Sequence, residues 1–418
     1  MHHGHRRPAF VLNIHADYGC RQSGACCSAG WDIPVGPDVA ARLEAALHDG
    51  RLRTAGTPAP GLSALVRTPA PPAGAAAVLG KDASGGCVFL DRDDHNHCIV
   101  HRNLGQDLLP EACRHFPRIT LLDRRGVHVT LSHFCPTAAA MLLRDDVTDL
   151  CVVEDAPRRM SGPDDEGFDA TRTIPPLLRP GVAFDLDAYT RWEAWQIAVL
   201  GRDDLGAEQA IETIAHAADL LRSWTPARGA LLCSVEQAAA DAGSAITARP
   251  RAVSRRPQPC PRAAAAPLRT YRSIAGLVRP GLPAPAEPPE FGPTFTSFVE
   301  PVWAEYSRPV RRYVAAKAFA AWSAYQGEGV RTNAAVLGVV LDVLKVECVG
   351  QTQPARRPLD ARLLCEAFRR SDLLLEHLVD RIDLVRRLAP VESLEPGRWL
   401  TAFPFDDRPG FGDPLQAC

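Results

Sequence analysis

The sequence has no long apolar run and no large excess of either charge. No stretch of its 418 residues reaches the roughly 18 consecutive apolar residues that a membrane-spanning helix needs. The basic N-terminus is followed by an apolar run that is too short for the core of a signal peptide. A formal net charge of -2 produces no whole-protein field that would attract nucleic acid or an anionic membrane. We therefore expect a cytoplasmic protein with neither a membrane nor a nucleic acid as its partner.

Lysine is scarce as well. Only Lys81, Lys317 and Lys345 stand among the 47 basic residues, so arginine supplies nearly all of the positive charge. Alanine and proline are also abundant, and we interpret the arginine excess as a compositional bias of the genome. The excess therefore does not indicate phosphate recognition.

The length predicts more than one hydrophobic core, because single cores stop growing at about 250–300 residues. A hydrophobic fraction of 46% and a charged fraction of 23% are ordinary for a folded protein. We expect a mainly α fold with a small α+β cysteine-rich N-terminal domain and a helical C-terminal part. The predicted units are a cysteine-rich domain (1–150), a helical segment (151–248), a Pro/Arg-rich linker (249–290), a helical domain (291–395) and a tail (396–418).

Apolar residues recur at helical spacing in much of the chain after residue 180. This spacing predicts helices at 186–200, 211–221, 229–240, 295–320, 336–346 and 359–388. Nearer the N-terminus, 119–123 and 127–132 predict a β-hairpin, and a helix at 137–143 is expected to follow it. A polar stretch at 154–168 is predicted to be a connector. Within 249–290, ten prolines predict that most of the linker forms neither regular helix nor sheet.

Cysteines are unevenly distributed along the chain. Seven of the 13 precede residue 136. The reducing pool of the cytosol disfavours disulfides, so a local cluster of this kind indicates metal binding or thiol chemistry. The other six are spread out, and we interpret most of them as small buried apolar side chains. They are Cys151, Cys233, Cys260, Cys348, Cys365 and Cys418.

Cys20, Cys26 and Cys27 lie in a glycine-rich loop that contains Gly24 and Gly30. The glycines permit the tight turns that bring thiols of one short loop together. The C-x5-C-C spacing differs from a zinc-ribbon knuckle, and adjacent thiolates rarely bind one tetrahedral ion. The spacing therefore favours a multi-iron cluster or two separate roles for the thiols.

The remaining cysteines of the cluster stand on short predicted elements. Cys87 and Cys98 flank a polar turn between two apolar runs, a pattern that predicts a β-hairpin with the two thiols close together. Cys113 stands on a single helical turn between two prolines. Cys135 precedes a helix that begins with Pro136, and the helix dipole favours a thiolate at that position.

We expect these segments to converge on one metal site. Its predicted ligands are Cys20, Cys26, Cys27, Cys87, Cys98, Cys113 and Cys135. Seven thiols exceed the four that a tetrahedral zinc ion needs, which favours an iron–sulfur cluster over zinc. Six histidines lie in the same region. For each of them we favour a place on the surface or a supporting role beside the metal over direct metal ligation. They are His95, His97, His101, His115, His128 and His133.

The residues around the cysteines form an ordered signature. It comprises the Cys-Cys pair with Gly30-Trp31-Asp32-Ile33, Cys87-Val88-Phe89-Leu90, Cys98-Ile99-Val100-His101, Leu104-Gly105 through Leu109, Cys113-Arg114-His115-Phe116-Pro117-Arg118 and Leu131-Ser132-His133-Phe134-Cys135-Pro136. Taken in this order, the signature resembles the bacterial YkgJ-type cysteine-cluster proteins, a zinc- or iron-chelating family, and within it the flagellin lysine-N-methylases. The resemblance covers roughly residues 18 to 143. Ser23 departs from it, because the common family pattern has a further cysteine there.

The resemblance implies a cysteine-ligated cofactor, a [4Fe–4S] cluster or else zinc. For the methylase branch it also implies transfer of a methyl group from S-adenosylmethionine to a lysine of a protein such as flagellin. The sequence has neither a G-x-G-x-x-G turn after a strand nor the C-x3-C-x2-C run of radical S-adenosylmethionine enzymes, and it assigns no residue to S-adenosylmethionine. Because a lysine amine attacks only when deprotonated, a base near the cluster is expected. The candidates are Asp32, Glu111 and His133.

A non-enzymatic function is the alternative. In that case a zinc or iron site holds a small-core N-terminal domain together, and the helical half binds a partner protein. Structural zinc contributes about 10–16 kcal/mol of apparent binding energy in small peptides, so metal-dependent folding is physically easy. Ligand count separates the two hypotheses, because seven cysteines exceed the number that a structural zinc ion needs.

Overall fold

The computed structural model describes residues 7–58, 63–67, 74–154, 167–248, 261–397 and 399. Helix accounts for about 53% of the structure and strand for 12%, so the fold is mainly α, as the sequence predicts. Within these described ranges, no helix combines the length and the apolar character needed to cross a membrane.

Twelve short strands are found in the described residues. They are β1 (Ala9–Leu12), β2 (Pro34–Val35), β3 (Leu65–Val66), β4 (Ala77–Leu79), β5 (Leu90–Asp91), β6 (His97–Cys98), β7 (Arg118–Leu122), β8 (Val127–Leu131), β9 (Val152–Glu154), β10 (Phe168–Asp169), β11 (Leu177–Arg179) and β12 (Val182–Ala183). Five of them form one sheet in the order β10-β7-β8-β1-β9. The predicted hairpin at 119–132 is confirmed as β7 and β8, which pair antiparallel.

The N-terminal strand β1 occupies an inner position in this sheet. It pairs parallel with β8, where Ala9 lies opposite Val127, and antiparallel with β9, where Val11 lies opposite Val153. The chain between β1 and β7 is an insertion between two strands of one sheet, and it carries six of the seven clustered cysteines.

The helices follow mostly after the sheet. They are α1 (Pro37–His48), α2 (Ile99–Leu104), α3 (Glu111–His115), α4 (Pro136–Met141), α5 (Leu186–Gly201), α6 (Ala207–Arg222), α7 (Leu231–Ala248), α8 (Pro261–Ala275), α9 (Phe291–Thr294), α10 (Ser307–Ala318), α11 (Ser323–Gln326), α12 (Val330–Ala355), α13 (Ala361–Asp372) and α14 (Arg381–Leu388). The predicted helices at 186–200 and 211–221 are confirmed as α5 and α6. The start of α5 is fixed by Asp185, whose side chain accepts a hydrogen bond from the backbone N of Ala188.

One predicted long helix is interrupted. Instead of a continuous helix at 295–320, the chain forms a π-helical turn (Phe295–Val299) and a 3-10 turn (Glu300–Tyr306) before α10 begins. Pro301 lacks the N–H that an α-helical hydrogen bond would need at this point. The segment predicted as one helix at 359–388 is likewise divided, because a second π-helical turn (Leu373–Leu378) separates α13 from α14.

The prediction that prolines exclude regular helix from most of the linker is wrong for α8. This helix contains only two of the ten prolines, one at its first position and Pro267 inside it, and four alanines lie between them. Alanine has the highest helix propensity of all residues, and a proline is tolerated where a helix begins. The helix also packs on α12, where the buried Tyr271 donates a hydrogen bond to Glu347. Residues 249–260 of the predicted linker lie outside the described ranges.

The predicted helical segment 151–248 also contains strands β9 to β12. Each has only two or three residues, which is too short for the alternation of apolar and polar side chains that marks a strand in a sequence. Strands β9 and β10 extend the main sheet at its two edges. Of the predicted connector at 154–168, only Glu154 and the last two residues are described.

The buried apolar residues fall into separate clusters in the described part of the chain. The largest extends from Leu12 in β1 to Trp399 and includes the helices, so the sheet and the helical part share a core. A second cluster is confined to the stretch between Val35 and Leu109. A third cluster, which includes Val11, Tyr18, Val129 and Cys135, also lies within the predicted unit of 1–150. The second cluster marks a portion of the cysteine-rich region that has a core of its own. We call this portion, from Val35 to Leu109, the inserted lobe.

Candidate metal centre

Six of the seven predicted cysteines line one cavity of about 1280 Å³. They are Cys20, Cys26, Cys27, Cys87, Cys98 and Cys113. Another part of the lining, which we call the helical wall, comes from the helical part of the protein, from segments more than 150 residues further along the chain. Its residues include Arg279, Trp322, Glu376, His377 and Arg381.

The loop that carries the first three cysteines is shaped by backbone that only glycine adopts easily. Gly24 has a φ of +68°, and a Cβ at this position would lie 2.8 Å from the Cβ of Asn96. The loop therefore packs directly on the turn between β5 and β6. The backbone N of Cys87 donates to the carbonyl of Cys27 at 2.8 Å, which joins the loop to the next cysteine segment.

The predicted hairpin that holds Cys87 and Cys98 is present, but its register differs from the expected one. Cys98 pairs with Leu90, so Cys87 is three residues away from the position opposite Cys98. Both cysteines still line the cavity. Cys113 stands on α3, a helix of five residues that Pro110 precedes and Phe116 ends, and this short helix presents its thiol to the same space.

Crowding and burial perturb these thiols. The hydrogen bond between the sulfur atoms of Cys26 and Cys27, 4.0 Å apart, lowers the pKa of Cys26 and raises that of Cys27. Burial raises the pKa of Cys87 to about 12 and also raises the pKa values of Cys98 and Cys113. A negative charge on Cys26 raises these three further. The five thiols therefore cannot all ionise unless a positive centre is bound among them.

Thiols are donors for both structural zinc sites and iron–sulfur clusters. Within the described ranges, no three Cys, His, Asp or Glu side chains converge as the ligands of one metal ion do. In an iron–sulfur cluster each thiolate binds a different iron, so the ligands surround a larger volume, and soft thiolates are the donors that such clusters use.

Cys135 differs from the other six. The sequence places it among the ligands, but the structure shows it buried at the start of α4 and outside the cavity lining. Its sulfur lies 3.5 Å from the phenol oxygen of Tyr18, and Tyr18 does line the cavity. Its position at the helix N-terminus is as predicted, because Pro136 is the first residue of α4.

The cysteines outside the cluster follow the prediction only in part. Cys348 is fully buried, as expected of a small apolar side chain, and Cys365 is half-buried. Cys151 and Cys233 are exposed, so the prediction is wrong for these two. Cys260 and Cys418 lie outside the described residues.

Of the three candidate bases, only Asp32 lines the cavity, where its carboxylate lies 2.7 Å from the Lys81 ammonium. Glu111 is exposed and does not line it. His133 is fully buried, with Nδ1 3.3 Å from Asp372 and Nε2 3.2 Å from His15. Glu111 and His133 therefore do not lie in the cavity, where the prediction of a base near the cluster would have placed them.

Sequence reasoning missed the helical wall of the cavity. Nε2 of His377 forms a hydrogen bond of 2.8 Å with the hydroxyl of Ser132. The centre of the His377 ring lies 4.5 Å from that of Trp31. Phe116 and Phe134 complete a packed group of four rings that joins the cysteine loops to the π-helical turn. No motif marks these residues, because 245 positions separate Ser132 from His377. Burial lowers the pKa of His377 to about 4, so its ring is neutral at pH 7.

A buried ion-pair network supports this wall. Lys317 lies 2.7 Å from Asp372 and 3.0 Å from Glu376, and Tyr313 donates a hydrogen bond of 2.6 Å to Asp372. Burial alone would lower the pKa of Lys317, but the two carboxylates outweigh it and raise that pKa. Burial would raise the pKa of Glu376, whereas Arg381 and Lys317 outweigh it and lower the pKa to about 2. Lys317 and Glu376 are therefore both ionised at neutral pH.

No family model, no curated protein and no solved structure matches the chain. The relation to YkgJ-type proteins and to flagellin lysine-N-methylases is therefore a hypothesis that rests on the cysteine signature and on the cavity that its thiols line.

Proposed function

We propose that the protein binds an iron–sulfur cluster and transfers a methyl group from S-adenosylmethionine to a lysine of a protein substrate. The observation that carries this proposal is the shared cavity, in which six cysteines face a wall of aromatic and charged side chains from the helical part. The cysteine signature supplies the chemistry that we assign to the cavity.

The cluster ligands are four of the five crowded thiols Cys26, Cys27, Cys87, Cys98 and Cys113. When bound, a cluster would be held by these thiols and would supply a redox-capable iron centre. Cys20 is the most exposed of the cavity cysteines and lies in the loop altered at Ser23, so we place it outside the ligand set.

The lining of the cavity favours the reactive form of a substrate amine. A lysine must lose a proton before its nitrogen attacks, and both burial and nearby positive charge lower the pKa of an ammonium group. Trp31, Phe116 and Trp322 supply apolar surface, while Arg279 and Arg381 supply positive charge. The proton leaves to solvent, because the pKa of His377 is too low for an efficient proton acceptor at neutral pH.

The transfer itself is a nucleophilic substitution. The free amine attacks the methyl carbon of the donor, and the new N–C bond forms as the C–S bond breaks. The positively charged sulfonium of the donor becomes a neutral thioether, and the methylated amine carries the charge. S-Adenosylmethionine is consumed in this step as a second substrate.

We predict that the anaerobically purified protein is brown and contains iron and acid-labile sulfide. The prediction follows from the crowding of five soft thiols with perturbed pKa values in one cavity. Elemental analysis, sulfide determination and an absorption spectrum provide the measurement. Stoichiometric zinc without a visible chromophore would overturn it and favour the structural metal site.

We predict that the cluster-loaded protein labels flagellin, or a protein in lysate of its own host, with methyl groups from labelled S-adenosylmethionine. Cys113→Ser should lose both the cluster and the labelling, because this thiol is a proposed ligand. Cys233→Ser is the matched control, since Cys233 is exposed on α7 and does not line the cavity; it should retain both. If the loaded protein neither binds S-adenosylmethionine nor labels any protein, the function is instead that of a metal-stabilised binding module.

A further inference from the structure

Two arginines are brought together at the edge of the helical wall by a short contact between distant segments. Val278 and Val379 form an isolated antiparallel bridge, and the backbone N of Arg279 donates to the carbonyl of Leu378 at 3.0 Å. Arg279 and Arg381 both line the cavity next to this bridge.

Both guanidinium groups are held by the protein. Arg381 lies with its guanidinium carbon 4.1 Å from the ring centre of Trp322 and forms an ion pair with Glu376. Its side chain is 21% exposed, so it faces the cavity from a partly buried position. Arg279 donates a side-chain hydrogen bond to the carbonyl of His377. Such fixed, planar donors lose little freedom when they bind a planar anion.

Among the described residues, the helical wall carries one positive charge more than its own carboxylates balance. Its cations are Arg279, Arg381 and Lys317, and the carboxylates packed against them are Asp372 and Glu376. His377 adds no charge, because burial holds its pKa at about 4.

Among the described residues on the cysteine side, Lys81 pairs with Asp32, and Arg114 and Asp107 line the cavity as well. An anion that enters the cavity would therefore meet the excess guanidinium charge of the helical wall, apart from the charge of any metal-bound thiolates.

We infer that Arg279 and Arg381 form a subsite for the carboxylate of a ligand that binds in this cavity. A guanidinium binds a carboxylate through two parallel N–H···O hydrogen bonds, and the partial burial of Arg381 strengthens such charge-assisted bonds, whereas Arg279 is exposed. This inference rests on the proposed function for the identity of the ligand. The carboxylate comes either from the amino-acid part of S-adenosylmethionine or from an acidic side chain beside the target lysine.

Binding measurements on the cluster-loaded full chain separate these two sources. The probes are S-adenosylmethionine, its decarboxylated analogue, and a pair of lysine peptides that differ by one Glu→Gln change beside the lysine. The variants are Arg279→Gln and Arg381→Gln. Arg386→Gln is the matched control, since the Arg386 side chain is 76% exposed and does not line the cavity.

We expect each cavity variant to weaken binding of one carboxylate probe by about tenfold or more, and binding of its carboxylate-free counterpart by less than about twofold. Loss confined to S-adenosylmethionine assigns the subsite to the methyl donor, and loss confined to the acidic peptide assigns it to the substrate. Arg381→Gln also removes one ion-pair partner of Glu376. Arg381→Lys retains that charge, so it tests the two-pronged guanidinium geometry by itself.

Equal affinities of the cavity variants and Arg386→Gln for all probes would overturn the inference, as would a wild-type protein that binds none of the probes. A change in iron content without a change in ligand affinity would also overturn it, because the arginines would then only balance the thiolates. The outcome is distinct from that of the labelling assay. Carboxylate-dependent binding without methyl transfer would retain the subsite and remove the proposed function.

Discussion

Lys317→Met should lower the free energy of unfolding by about 3–5 kcal/mol, the range expected when one partner of a buried ion pair is removed. Lys317 is 5% exposed, and Asp372 is fully buried. Methionine preserves much of the side-chain volume but leaves Asp372 without its cation. The hydrogen bonds from Tyr313 and His133 satisfy part of that carboxylate and do not neutralise it. Urea denaturation at pH 7, followed by circular dichroism, measures the loss.

The matched control for this prediction is Lys81→Met. Lys81 also pairs with an aspartate at 2.7 Å, but its partner Asp32 is 71% exposed. Water can replace the lost cation there, so the control should change the free energy of unfolding by only about 0–1 kcal/mol. Losses of equal size in the two variants would contradict the view that burial makes the Lys317 network essential to the fold.

Glu347→Gln should stabilise the protein at pH 8 by about 3 kcal/mol and should have little effect at pH 4.5. Burial raises the pKa of Glu347 from 4.5 to about 7, and a difference of this size corresponds to about 3 kcal/mol. Between these two pH values the unfolded chain releases the proton while the folded protein retains it. The folded state therefore loses stability as the pH rises through this window.

Glutamine removes this dependence because it does not ionise, and its oxygen can still accept the hydrogen bond of 2.8 Å that Tyr271 donates to Glu347. Thermal and urea denaturation at several pH values provide the measurement. Glu208→Gln is a control in which the stability change at pH 8 is expected to have the opposite sign. At Glu208 the charge of Lys345 outweighs the effect of burial and lowers the pKa. Glu208→Gln should therefore destabilise the protein at pH 8. If the free energies of unfolding of wild type and Glu347→Gln differed by the same amount at every pH, the raised pKa of Glu347 would be contradicted.

Features that depend on short sequence patterns could be predicted. The β7–β8 hairpin, the start of α5 and the start of α4 each depend on a few neighbouring residues. Grouping the cysteines also needed only local information, because a glycine-rich loop, a hairpin and one helical turn bring six thiols to the cavity. Register was less predictable, since Cys98 pairs with Leu90 and not with Cys87.

The helical wall could not be predicted, because its position depends on contacts across most of the chain. His377 reaches the cavity only because Ser132 and Trp31 pack on it, and neither contact leaves a local pattern. The same holds for α8, where packing on α12 accompanies a helix that contains an internal proline. In each case tertiary contacts outweigh the local conformational propensities on which a prediction from sequence depends.

The inner position of β1 has a consequence for the order in which the protein is assembled. Strand β1 is synthesised early but must wait for β8 and β9, the second of which ends at Glu154, before its hydrogen bonds can form. Pairings between such distant segments form slowly, whereas local contacts form first. The inserted lobe has its own apolar cluster between Val35 and Leu109 and contains only nearby residues. Its two thiols, those of Cys87 and Cys98, are therefore expected to come together while the later strands and the helical wall are still absent, so that a cluster would be inserted from the side that the wall afterwards covers.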